Sequence, residues 1–213
     1  MGKRGSRWRG PASYARRNPV REAYDYILIV CEGEKTEPFY FQGLKEAHRL
    51  SNANIVIMRA DGTDQMSIVD TAEDRLSEGY NRVFCVFDRD GHANYDAALT
   101  RVARSEPGKS GQITAITSWP CFEFWLLLHF RYSSAAFVAA GRRSACEQVL
   151  RELRKEFPNY NKGHKSVFAD LQGNLDDALK HARRLAAENK RTRSRNPATA
   201  MHELAGYLIK LKK

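Results

Sequence analysis

The run Ile27-Leu28-Ile29-Val30-Cys31-Glu32-Gly33-Glu34-Lys35-Thr36-Glu37-Pro38 changes character at its midpoint. Its first half is apolar and rich in β-branched side chains, which favours a buried strand. Its second half is an acidic turn containing a glycine. Thr36 offers a helix cap and Pro38 fits a first helical turn, so the order is strand, carboxylate turn, helix. In open α/β sheets, ligands sit in the crevice beyond the carboxyl ends of the strands. Glu32, Glu34 and Glu37 crowd that place, and carboxylates so close repel one another unless a cation or a donor compensates. An acidic cluster alone is most often a solvated loop. What lifts this one is a second acidic strand end.

That second end is Val83-Phe84-Cys85-Val86-Phe87-Asp88-Arg89-Asp90-Gly91. Asp88 and Asp90 stand two apart, so an extended backbone projects them to one face, and Gly91 lets the chain turn away. With the two strands side by side in a parallel sheet, Glu32 faces Asp88 and Asp90 across the crevice. Hard carboxylate oxygens converging on one point suit Mg2+ or Mn2+.

These blocks resemble a known family. Glu32-Gly33 after an apolar strand, followed by Asp88-Arg89-Asp90, is similar to the TOPRIM signature of topoisomerases, primases and OLD-type nucleases. The wording is closer still to the RloB-like family of bacterial defence proteins. It runs Ile29 to Glu37, then Phe87 to Asp90, then Pro120-Cys121-Phe122-Glu123-Phe124-Trp125-Leu126-Leu127-Leu128-His129-Phe130. The resemblance extends from about residue 20 to the end. It implies a metal-dependent nuclease acting on RNA such as tRNA, or on DNA, as the effector of an antiviral, abortive-infection system with an ATPase partner. Glu32 would then serve as metal ligand or general base, and Asp88 and Asp90 as metal ligands. Glu34 and Glu37 would hold a second metal or orient Lys35, while Lys35 and Lys165 would steady the charge of the transition state. The chain carries no tyrosine in an obvious topoisomerase-type partner domain and no primase zinc-binding element. Both departures favour hydrolysis.

At 213 residues the chain is expected to form one domain or one domain with a modest insertion. Its net charge is +10 although acids are not scarce, so the positive excess is localised, which favours a polyanionic partner such as nucleic acid. Residues 1–21 hold seven basic residues and no acid, with Trp8 and Tyr14 available to stack on bases. This reads as a basic arm or equally as a solvated tail. Cys31, Cys85, Cys121 and Cys146 form no Cys-x-x-Cys pair, which argues against zinc. There is no secretory signal, and the longest apolar run, Phe124 to Phe130, is too short to span a bilayer. A cytoplasmic protein with reduced thiols is expected.

Further along, Tyr40, Leu44, Ala47 and neighbouring Gly43 give the first helix an inward stripe. Strands follow at Ile55–Met58, at the acidic segment and at Ile113–Thr117. Asp61-Gly62-Thr63-Asp64 turns the chain and offers a cap to a helix with Met66, Val69, Ala72, Arg75 and Leu76 at helical spacing. Another helix carries Tyr95, Ala98, Leu99 and Val102, and Glu106–Gly111 is loop. This alternation predicts a TOPRIM-like α/β core over 22–134, with about four parallel strands flanked by helices. Residues 121–130 are apolar on nearly every side, predicting a deeply buried helix. Glu123 lies within it, and a buried carboxylate needs a partner or a metal. His129 reads as a core histidine.

Beyond 135 the strand signals stop, predicting a helical, basic extension over 135–213. Amphipathic helices run from Cys146 to Phe157 and around Leu175 to Leu185. Asn159-Tyr160-Asn161-Lys162-Gly163-His164-Lys165 is a basic loop suited to a phosphate backbone. Lys190 to Arg195 is a dense basic segment, and Asn196-Pro197-Ala198-Thr199 opens a last helix, with Lys210, Lys212 and Lys213 at its end. Lys162, Lys165, Arg191, Arg193 and Arg195 are the candidate nucleic-acid contacts. No Gly-x-x-x-x-Gly-Lys-Ser/Thr loop is present, which argues against a self-contained P-loop ATPase. A homodimer is left open. The competing reading is a non-catalytic TOPRIM module that binds nucleic acid or a protein partner.

Overall fold

Strand β1 (Tyr26–Cys31) is buried on both faces because it lies inside the sheet. The computed structural model describes residues 26–50, 54–62, 64–89 and 94–211. The basic arm over 1–21, Asp90 and Gly91, and the terminal Lys212 and Lys213 therefore lie outside the described residues. After β1 come α1 (Thr36–Ala47), β2 (Asn54–Arg59), α2 (Gln65–Ser77), β3 (Arg82–Asp88), α3 (Tyr95–Arg104), the single turn α4 (Glu106–Lys109) and β4 (Ile113–Trp119). Then follow α5 (Glu123–Leu127), α6 (Ala145–Glu156), α7 (Val167–Leu171), α8 (Leu175–Thr192), β5 (Ala198–Thr199) and α9 (Met201–Lys210).

The sheet order is β2-β1-β3-β4-β5, parallel except for β4 with β5. Helices flank it on both faces, and the whole is an α/β architecture consistent with a TOPRIM-like fold. Strand alternation divides the core in two. Ile27, Ile29, Cys31, Phe84 and Val86 join a large cluster shared with α1 and α5–α9. Leu28, Val30, Val83, Cys85 and Phe87 join a smaller one under α2 and α3. Period-two alternation therefore sends Asp88 toward the large cluster and Arg89 toward the other face.

Several local expectations are corrected. Ala198–Thr199 does not open a helix. It pairs antiparallel with Ser118 and Trp119, Ser118 Oγ meets Thr199 Oγ1 at 3.0 Å, and α9 begins at Met201. A two-residue strand has no periodicity to display, so its pairing is purely tertiary. Thr36 does not cap α1. It is the first helical residue, and its hydroxyl lies 3.5 Å from that of Tyr160. Phe41 rather than Ala47 completes the buried face of α1, and Glu106–Lys109 forms a helical turn instead of loop. The buried residues of α2 are Gln65, Ile68, Val69, Thr71 and Ala72, with Met66 and Leu76 partly buried against the same cluster. Asp64 does cap α2, accepting from the main chain of Met66 and Ser67.

The segment 121–129 is buried throughout, although its regular helix is only α5. Tyr40 is its hub, meeting the rings of Phe122, Trp125 and Phe168 edge-on with centroids 5.1–6.3 Å away. His129 is a core histidine. Its ring bonds Tyr40 Oη at 3.2 Å and the Trp125 carbonyl at 3.1 Å, and burial pushes its pKa down to about 4, so it stays neutral.

Gly43 lets α1 approach α7. A Cβ there would stand 2.7 Å from Phe168 Cβ, an atom with no freedom to swing away. Overpacking costs about 1–3 kcal/mol, more than the roughly 1 kcal/mol of helix propensity that replacing glycine returns. Gly43→Leu should therefore lower the urea midpoint of unfolding, and an unchanged midpoint would contradict the close α1–α7 packing.

Candidate active site

The site is built at the carboxyl ends of β1 and β3, where the main chain leaves the sheet. Glu32 follows β1 directly, with its amide bonded to the Val86 carbonyl at 3.0 Å. Its carboxylate reaches across to the next strand end. Oε2 accepts the Asp88 amide at 2.8 Å, and Oε1 accepts Gln65 Nε2 at 3.1 Å. Gln65 Nε2 also lies 3.3 Å from the Asp88 carbonyl. The two acidic segments expected to meet are thus joined by hydrogen bonds across 56 positions of sequence.

The Asp88 side chain turns the other way, into a cleft of about 360 Å³ whose lining includes Glu37, Asp88 and Glu123, with Lys35 and Lys162. Asp88 Oδ2 accepts the Phe122 amide at 3.0 Å, a donor presented just before α5. Glu37 comes from the first turn of α1 and is buried. A Cβ at Gly33 would overlap its carboxylate, so a side chain there would displace Glu37 from its present position. Glu123, the first residue of α5, is only 2 % exposed. Its Oε1 accepts Tyr160 Oη at 3.1 Å and lies 3.4 Å from Lys162 Nζ.

Burial and neighbouring acids raise the pKa of Asp88 and of Glu37. Burial, followed by Glu37 and Glu123, holds Asp88 well above the ordinary carboxylate range. Burial first, with Glu123 and Glu32 adding to it, pushes Glu37 up to about 7 although its own main-chain bond and Lys162 oppose the rise. Burial would depress Lys162, but Glu123, Asp88 and Glu37 outweigh it and hold its pKa up, so it stays charged.

A divalent cation fits this donor set. The cleft gathers hard oxygens whose mutual repulsion a cation relieves. Gln65 Oε1 is buried beside Glu32 without a hydrogen-bond partner among the described residues. The carboxylates share a cleft without forming a closed coordination sphere. Among the described residues, the one group with ligand atoms all within 4.8 Å is Cys121, Glu123 and Cys146. The two sulfurs of that group are joined as a disulfide. The expectation of four reduced thiols is corrected for this pair, while Cys31 and Cys85 are free and buried. The bridge ties the segment before α5 to α6.

The RloB-like protein family model matches residues 27–208. The chain belongs to the RloB-like family. No curated protein and no solved structure matches it. The matched span runs from β1 into α9, so the family unit includes the C-terminal helices as well as the sheet.

In this RloB-like chain the expected site residues divide into groups. Glu37, Asp88 and Glu123 line one cleft. Glu32 stands behind it, bonded to the Asp88 amide and not among the lining residues, and Asp90 lies outside the described residues. Glu34 stands exposed at the mouth of the cleft, ion-paired with Arg59. Lys35 is exposed on the rim, its stem against the loop at Gly163. Lys162, read as a surface phosphate contact, is instead aimed at Glu123. Lys165 is exposed and outside the cleft lining. Arg191, Arg193 and Arg195 are exposed around the end of α8, away from the cleft lining. Gln65 and Tyr160 were not anticipated as site residues. Tyr160 had the faint signal of an aromatic inside a basic loop, and Gln65 had none. Among the described residues no helix is long and apolar enough to cross a membrane.

Two outcomes follow from this arrangement. In EDTA the folded state keeps a proton on Glu37 that the unfolded chain releases near 4.5. The stability this group allows is fully present below that value and is lost as pH rises through about 7. The loss should be on the order of 1–3 kcal/mol. Glu37→Gln should flatten the decline in chemical unfolding curves, and an equally steep decline would remove Glu37 as its source. Separately, thiol titration of the denatured, unreduced protein should count Cys31 and Cys85 alone, and a count including Cys121 and Cys146 would contradict the bridge.

Proposed function

We propose that this RloB-like protein is a metal-dependent, TOPRIM-type nuclease that hydrolyses phosphodiester bonds in RNA or DNA. The observation that carries the reading is the buried acidic cleft at the carboxyl edge of a parallel sheet, with lysines at its rim. Binding of a phosphate-bearing polymer accounts for both halves of that arrangement. The carboxylates of Asp88, Glu37 and Glu123, with Glu32 behind them and Asp90 on the strength of the sequence alone, are the residues to hold Mg2+ or Mn2+. When bound, such an ion stabilises charge on the phosphodiester and makes water a better nucleophile.

The protein's own groups do the rest. Lys162 is held charged over the cleft by Glu123, where it can meet a non-bridging phosphate oxygen. Lys35 offers a second cation from the rim, its stem beside the same loop. Gln65 and the Asp88 amide fix the Glu32 carboxylate so that it does not swing. The role as effector of a cytoplasmic antiviral system with an ATPase partner rests on the resemblance to OLD-type and RloB-like defence proteins. One observation favours the competing module reading. Lys162 already neutralises part of the carboxylate charge, as it would in a purely structural site.

The test is incubation of the purified protein with labelled tRNA, single-stranded DNA and duplex DNA in Mg2+, Mn2+ or EDTA, with and without a candidate ATPase partner. Cleavage should require the metal and fall by about 10²–10⁴-fold in Asp88→Asn and Glu32→Gln. Cleavage that persists in EDTA, or undiminished activity in Asp88→Asn, would rule out the proposed centre. Binding without cleavage under every condition would favour the module.

A further inference from the structure

A second cavity, of about 420 Å³, opens on the other face of the same sheet edge. Arg89 and Trp119 form its platform, with the guanidinium carbon 3.9 Å from the indole centroid. Tyr95 brackets the same guanidinium at 5.1 Å. Asn189 and Arg195 line the far wall, brought there by α8 and the loop after it. The acidic cleft and this cavity are back to back. Asp88 points into one and Arg89 lies in the lining of the other, and the Arg89 amide is bonded to the Ser118 carbonyl at 3.0 Å, next to Trp119.

We propose that this cavity receives one unpaired nucleobase of the strand whose phosphate enters the acidic cleft. The inference rests on the nuclease reading and deepens it by naming the substrate class, single-stranded or looped nucleic acid. The volume is in the range of small-ligand sites. Flat cationic and aromatic surfaces are what unstacked bases lie against. Asp96, which is ion-paired with Arg89 at 3.6 Å, offsets the charge of the platform, and Glu203, also in the lining, can accept a hydrogen bond from a base amino group; together they disfavour a phosphate inside the cavity. Asn189 Nδ2 is committed to the Pro197 carbonyl at 2.8 Å, which leaves its Oδ1 as a further acceptor. Cations lie outside the platform, with Arg195 in the wall and Lys190, Arg191 and Arg193 exposed beside it. That division, base inside and backbone outside, gives the basic segment a task it lacks at the acidic cleft. A base inside a duplex cannot enter such a cavity without leaving its stack.

The test measures binding of the full-length protein in EDTA by fluorescence polarisation. The probes are a labelled single strand, the same strand made abasic, the matching duplex, and nucleoside monophosphates as competitors. Two variants are compared with the wild type. Trp119→Leu removes the indole of the platform, and Ala186→Trp fills the cavity from an exposed position on α8. Both should weaken single-strand binding by about 10-fold, leave duplex and abasic binding within about twofold, and melt like the wild type. Unchanged single-strand binding in both variants would overturn the base site while leaving the nuclease reading intact. Monophosphates bound as tightly as the strand would overturn its assignment to a polymer. No binding of any nucleic acid by the wild type in EDTA would overturn the base site, while metal-dependent cleavage in the earlier assay would still decide the nuclease reading.

Discussion

Burying Glu37 and Glu123 beside Asp88 removes negative charge from water, at a cost of several kcal/mol per ion unless other groups offset it. The compensation in the structure is specific but incomplete. The Phe122 amide serves Asp88, and Tyr160 and Lys162 serve Glu123. Burial first, and the charges of Glu123 and Glu32 after it, make Glu37 hold its proton up to about 7 against the opposing pull of Lys162. A protein selected only for stability would dispose of such a cluster, because neutral side chains of the same volume avoid the penalty. The cluster is explicable if positive charge arrives with a ligand, and a hard cation followed by a phosphodiester supplies it in an order that also makes chemistry.

The C-terminal half completes this electrostatic arrangement. Tyr160 and Lys162 come from the loop between α6 and α7. That loop is held by Phe157 against Tyr160 at 5.8 Å and by α7 packing its Phe168 against Tyr40 at 5.1 Å. Tyr40 lies one helical turn from Glu37, so the helix that places the acid also anchors the segment that covers it. The Cys121–Cys146 bridge joins the segments on either side of Glu123 in the same way. Residues on both sides of 134 share one apolar cluster. The family match spans both halves for a reason visible in the contacts: without the later helices Glu123 would be buried with no partner.

The parts of this arrangement legible in the sequence are those set by local pattern. β1 and β3 are runs of apolar, β-branched or aromatic residues stopped by carboxylates, and both the composition and the stop are visible without coordinates. Asp64 is a cap because its side chain meets amides two and three residues on, a purely local bond. What was not legible is set by partners distant in the chain. Thr36 has the chemistry of a cap, but Tyr160 lies beside its hydroxyl 124 positions later. Ala198 and Thr199 have no strand pattern and pair only because Ser118 and Trp119 present an open edge. Cys121 and Cys146 meet across 25 positions without any motif. Gln65 looks like an ordinary first-turn residue, and its importance lies in the two strand ends it bonds at once.

The carboxylate that carries the site also has a structural task. In β1 and β3 both faces are apolar, so sliding one strand past the other by a single residue would still bury hydrophobic side chains. Hydrophobic patterning specifies register only weakly in such a pair. Polar bonds at the two ends settle it instead. At the start, the Tyr26 amide donates to Asn81 Oδ1 at 2.7 Å, and the Asn81 amide to the Tyr26 carbonyl at 2.8 Å. At the end, Glu32 takes the Asp88 amide. A slip of one residue would break both clamps and exchange Asp88 for Arg89 in the acidic cleft, placing a cation where the cleft needs an anion. The same Glu32 that the proposed chemistry needs near Asp88 therefore helps to ensure that Asp88 is the residue found there.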